Sequence, residues 1–127
     1  MKKFRPVLLC TFLFVSVCVS CSQLGNNGNI NITLSESEHD YKVLAHYPEE
    51  NTKKVERYLT KKIGRKSNVS FRNTQIDAQL TLDDGTTFYM KNQPGNLIIK
   101  LNKDENSDAS YKEIKALGEG LQPLLKQ

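Results

Sequence analysis

The chain has 127 residues, 38% of them hydrophobic and 25% charged, the balance of one small globular domain and too polar for several membrane spans. Its formal net charge is +4, but Lys2, Lys3 and Arg5 at the extreme N-terminus account for three of those charges. The remainder is nearly neutral, which excludes nucleic-acid or polybasic membrane binding built on net charge.

The first residues have three parts: the cationic start, an apolar run from Val7 to Val19, and the small residue Ser20 just before Cys21. That is the layout of a secretory signal over residues 1–20. The apolar run is 13 residues long, short of the roughly 20 that a membrane-spanning helix needs. Cys10 and Cys18 leave with the signal, so Cys21 is the single cysteine of the mature chain. A lone thiol in an oxidising compartment invites wrong disulfides. Thioether lipidation explains both its presence and its lack of a partner. The alternative, an ordinary signal cleaved near Ser20 or Ser22, leaves Cys21 incidental. Disulfides and cysteine-based zinc sites are excluded from the rest of the chain. The polar Gly/Asn stretch that follows Cys21, up to residue 29, reads as a flexible tether, and residues 30–127 as one domain.

Ile30, Ile32 and Leu34 alternate with polar residues; after a turn over Ser37–Asp40, Tyr41, Val43, Ala45 and Tyr47 alternate in the opposite parity. Two strands and a hairpin are predicted. From Pro48 the period becomes helical, with Val55, Tyr58, Leu59 and Ile63 on one stripe and Lys53, Lys54, Glu56, Arg57, Lys61 and Lys62 around the rest. Glu49 and Glu50 suit the positive end of that helix, and Gly64 its stop. Val69 and Phe71 lead into Ile76, Ala78, Leu80 and Leu82, and Asp83-Asp84-Gly85 signals a hairpin. Residues 86–91, a turn over 92–96, and the aliphatic Leu97, Ile99 and Leu101 complete a three-stranded meander. Ser107 or Asp108 can cap a last helix bearing Tyr111, Ile114, Leu117 and Leu121. Gly118, Gly120 and Pro123 should break it near 118–123. The order ββαβββα predicts an α+β two-layer sandwich, a mostly antiparallel five-stranded sheet with two helices on one face.

Chemistry-bearing motifs are sparse. His39 sits in a predicted turn among Glu36, Glu38 and Asp40, and His46 on the polar face of a strand. Imidazole with carboxylates can hold zinc or copper, but the spacing matches no metal motif, and no cofactor is implied. The Asp83–Gly85 and Asp104–Asn106 stretches read as turn chemistry, without the loop pattern of a calcium site. No nucleophile elbow, phosphate loop, dinucleotide fingerprint or zinc-protease motif occurs. With Phe88 and Met90 pointing inward, Tyr89 points to the other sheet face with Leu44 and Ile98. Apolar residues on a bare face rimmed by polar ones can form a partner site.

The run Cys18-Val19-Ser20-Cys21 resembles the processing site of bacterial lipoproteins, with Cys18 where Leu is usual. The stretch Leu82–Tyr89 and the later Tyr111–Gly120 resemble small uncharacterised lipoproteins of Bacteroidetes. The resemblance implies a lipid (palmitate) anchor on Cys21 in the cell envelope. Ser22 after the cysteine implies the outer membrane, on the periplasmic face. It brings no catalytic residue or substrate. The expected function is a membrane-anchored, non-catalytic binding domain whose partner is another envelope protein. A small metal-binding protein or hydrolase using His39 and His46 is the alternative.

Overall fold

A computed structural model describes residues 30–126. The signal (1–20), Cys21, the tether (22–29) and Gln127 lie outside the described residues.

The period-2 alternation makes β1 (Asn31–Glu36) and β2 (Asp40–His46). In the turn between them, the Ser37 hydroxyl accepts from the amides of His39 and Asp40 at 3.3 and 3.2 Å. The register sets Ile32 opposite Ala45 and Leu34 opposite Val43, so the two parities meet on one face. A 3-10 turn (Glu49–Asn51) opens α1 (Thr52–Ile63), which buries Val55, Leu59 and Ile63. The glycine expected to stop this helix does not do so by a left-handed turn. Gly64 stays right-handed at φ −62°, and the chain runs on as a 3-10 turn to Lys66 before Ser67 becomes extended.

Residues 67–75 have no regular structure, yet Phe71 within them is buried. The meander follows as β3 (Ile76–Thr81), β4 (Thr87–Gln93) and β5 (Asn96–Asn102). Its second turn is tighter than expected: Asn92 and Gln93 belong to β4, and Gly95, at φ +79°, reverses the chain. Thr87 lies before the β4–β5 ladder, which starts at Tyr89. Asn106 takes the missing strand's place, accepting from the Thr87 amide and donating to its carbonyl, both at 2.9 Å. Ser107 caps α2 (Asp108–Glu119) by accepting from the Ser110 amide at 3.0 Å. The break falls at Gly120 as expected, and α3 (Leu121–Leu125) packs back through Leu121 and Leu125.

The sheet is fully antiparallel in the order β1-β2-β5-β4-β3. The segment holding α1 carries the chain to the far edge, and the meander returns it to β2. Tyr41, Val43, Ala45, Phe88, Met90, Leu97, Ile99 and Leu101 form one core with Val55, Leu59, Ile63, Ile114, Leu117 and Leu121. The helices therefore cover one face, as the α+β sandwich requires. Ala78 has core parity but is exposed between the buried Ile76 and Leu80 of the edge strand.

Charged contacts close the end of the sheet opposite the N-terminus. The Glu36 carboxylate accepts from Lys103 Nζ at 2.9 Å and from the Tyr111 hydroxyl, with Lys115 Nζ at 3.5 Å. Lys103 first, then Tyr111, holds its pKa down at about 2. Lys66, then Thr86, likewise holds Asp84 well below the usual carboxylate range. A carboxylate whose folded pKa is depressed lends stability that is present above its unfolded value and lost as pH falls through the folded one. The denaturation midpoint should therefore drop as pH falls from about 4.5 towards about 2. Glu36→Gln should flatten that decline, and an acid profile identical to that of the parent would contradict the assignment.

Candidate functional site

The bare face of the sheet is the surface on which the sequence placed Leu44, Tyr89 and Ile98. Alternation along a strand puts every second residue there, so the register decides which of them meet. Leu44 of β2 stands directly opposite Ile98 of β5, where cross-strand side chains touch. Leu44 is 42% exposed, the one large hydrophobic side chain so open among the described residues. Tyr89 of β4 is diagonal to Ile98, since its direct partner on β5 is Lys100. Its hydroxyl donates to Asp77 Oδ1 at 2.6 Å, and Lys100 Nζ lies 5.7 Å from its ring centroid. That Asp77 hydrogen bond, more than burial, raises the Tyr89 pKa. Leu44 and Ile98 thus form the apolar centre, and Tyr89 forms its polar shoulder.

The rim carries three lysines and one carboxylate: Lys42 stands directly opposite Lys100, and Lys91 stands between Ile98 on β5 and Asp77 on β3. None of the three lysines has a carboxylate oxygen within 4.0 Å among the described residues. Like charges directly opposite on one sheet face repel. Asn31, Thr33, His46 and Asn96 complete a shallow depression with Leu44 and Ile98. That Lys91 meets Ile98 could not be read from the sequence, because it depends on the register of β4 against β5.

The two histidines are not brought together. His39 lies in the turn before β2 and His46 at the far end of that strand. His39 Nδ1 pairs with Asp104 Oδ2 at 2.8 Å, tying the β1–β2 turn to the 3-10 turn at Lys103–Glu105. His46 is exposed on the sheet face between Asn31 and Asn96. Among the described residues no group of three or more His, Cys, Asp or Glu side chains could hold a metal ion. Cys21 lies outside the described residues, and no described helix is long and apolar enough to cross a membrane.

A second recess lies between α1 and the irregular segment before β3. The sequence placed Glu56 on the solvated side of α1; the structure corrects this, because Glu56 is buried and its Oε1 accepts from the Asn73 amide at 3.1 Å. Asn73 adopts the left-handed conformation at φ +54°. Burial, and then the Glu56 charge, pushes the Tyr47 hydroxyl above its ordinary value. Lys53, Arg57 and Arg72 line this recess with Glu56 and Asn73. No periodic signal joins these residues, since they come from two segments that only the fold brings together. No protein-family model, curated protein or solved structure matches the chain.

Proposed function

We propose that the protein is a lipid-anchored envelope protein whose domain is a non-catalytic binding module, docking another envelope protein on its bare sheet face. The observation that carries this reading is the exposed Leu44 beside the half-buried Ile98, framed by Lys42, Lys91 and Lys100. An apolar centre with a polar rim is the anatomy of a protein interface. The repulsion between Lys42 and Lys100 is relieved when carboxylates approach, so the partner surface that fits has an apolar knob ringed by Asp or Glu. The anchor on Cys21 confines the domain to one membrane, where the raised local concentration of a co-resident partner makes a modest interface sufficient. Its support is the sequence around Cys21. The outer membrane, periplasmic face, follows from Ser22 by resemblance.

Two measurements test the reading. Labelling with a radioactive fatty acid should mark the wild type and not Cys21→Ala; label retained by the mutant would place the anchor elsewhere. Crosslinking and affinity capture from solubilised envelopes should recover a partner with the wild type and lose it with Leu44→Asp/Ile98→Asp. Unchanged recovery by a variant that remains folded would eliminate this face.

A further inference from the structure

The geometry points to a phosphate-binding cleft at the membrane-proximal end of the domain, occupied by the headgroup of an anionic phospholipid. Arg72 is held firmly on both sides. Phe71 before it is buried in the core, and Asn73 after it is clamped by the buried Glu56 carboxylate. The Arg72 amide donates to Ser70 Oγ at 3.2 Å, and its carbonyl accepts from Thr74 Oγ1 at 2.9 Å. The backbone is thus fixed on both sides of an exposed guanidinium, an expense in local order that a solvated arginine does not need. Lys53 and Arg57, one turn apart on α1, stand across the cleft.

None of these three cations has a carboxylate oxygen within 4.0 Å among the described residues. Glu56, the carboxylate between them, is turned inward and engaged by Asn73. Glu49 stands at the adjoining depression, beyond Lys53. Guanidinium groups pair with phosphate through two parallel hydrogen bonds, and a nearby ammonium adds a point charge. Net charge did not reveal this site, because three cations gathered at one place leave a domain of otherwise balanced charge nearly neutral.

Position supplies the source of the phosphate. Asn31 pairs with His46, and His46 with Asn96, so the chain enters the domain at the end of the sheet that holds the β4–β5 turn. Gln93 and Pro94 of that turn line the depression continuous with the cleft. Residues 21–29 reach at most about 30 Å even when fully extended. A lipid on Cys21 would therefore hold this end close to the bilayer. The inference rests on the anchor reading for its choice of phospholipid, while the cleft itself is testable without the anchor.

The test uses the full chain carrying Cys21→Ser, with flotation on vesicles of phosphatidylcholine alone or mixed with phosphatidylglycerol. Neutral vesicles report any binding through the apolar N-terminal run; the anionic excess reports Lys2, Lys3 and Arg5 together with the cleft, and the two triple variants below, which both keep those three, isolate the cleft. Each cation near an anionic surface is worth about 1 kcal/mol, so removing three should weaken the anionic excess by roughly a hundredfold. Lys53→Gln/Arg57→Gln/Arg72→Gln should show that loss. Lys61→Gln/Lys62→Gln/Arg65→Gln, which removes equal charge further along α1 and just beyond it, should retain most of the excess. Equal losses in both variants would overturn the cleft, as would the absence of any anionic excess. Saturable binding of inorganic phosphate with no preference for anionic vesicles would overturn the headgroup assignment. Fatty-acid labelling of the unsubstituted chain fails or succeeds separately, so the two readings can fall independently.

Discussion

Phe71→Ala is expected to destabilise the domain by about 3–5 kcal/mol, the usual cost of emptying a buried phenylalanine site. For a domain of this size that corresponds to a fall in melting temperature of roughly 15–25 °C. Phe71 is 1% exposed although it lies in a segment without regular structure. Its ring pins residues 67–75 to the core, so part of the loss should be local. Hydrogen exchange should show the Asn73 amide, which donates to Glu56, opening earlier than the amides of β2 and β5 in the variant. Thermal unfolding within a few degrees of the parent would mean that this segment is not docked as described.

Gly118→Ala should also destabilise, by about 1–3 kcal/mol, the range for forcing extra volume into a packed core. The sign is the diagnostic feature. Helix propensity alone favours alanine over glycine by about 1 kcal/mol within a helix, so a variant governed by propensity would melt higher. A Cβ at Gly118 would lie 2.5 Å from the Tyr41 hydroxyl oxygen and 2.7 Å from Val43 Cγ2. Both residues are buried on β2, and Tyr41 is further fixed by Tyr111, edge-on at 6.2 Å between ring centroids. Relief therefore requires α2 to move off the sheet. Equilibrium denaturation of the variant settles the sign, and a raised midpoint would show that the helix sits farther from β2.

Gly118 permits α2 to approach β2, and Phe71 holds the segment that shapes the second recess. The sheet face has a looser relation to stability, because Leu44 and Ile98 face away from the core. Substitutions there should separate binding from folding.

What the sequence determined is what repeats with the backbone period. Strand alternation selected Tyr41, Val43, Ala45, Leu97, Ile99 and Leu101 for one face, and that face is buried. The helical stripe through Val55, Leu59 and Ile63, and the break at Gly120, were equally legible. These signals survive in one dimension because burial on one side imposes a period of two or 3.6 residues. The same alternation placed Leu44, Tyr89 and Ile98 on the opposite face. Cys21 and the signal were read from local order alone, and they remain readings of the sequence. Only the tertiary structure decided that Leu44 meets Ile98 directly while Tyr89 stands diagonal, because that depends on β5 lying between β2 and β4. It also turned Glu56 inward to clamp an amide 17 residues away, and it paired His39 with Asp104 across the chain. Contacts between residues far apart in the chain leave no periodic trace, so the partners of Glu56, Asn106 and Gly118 became visible only when the layers were packed.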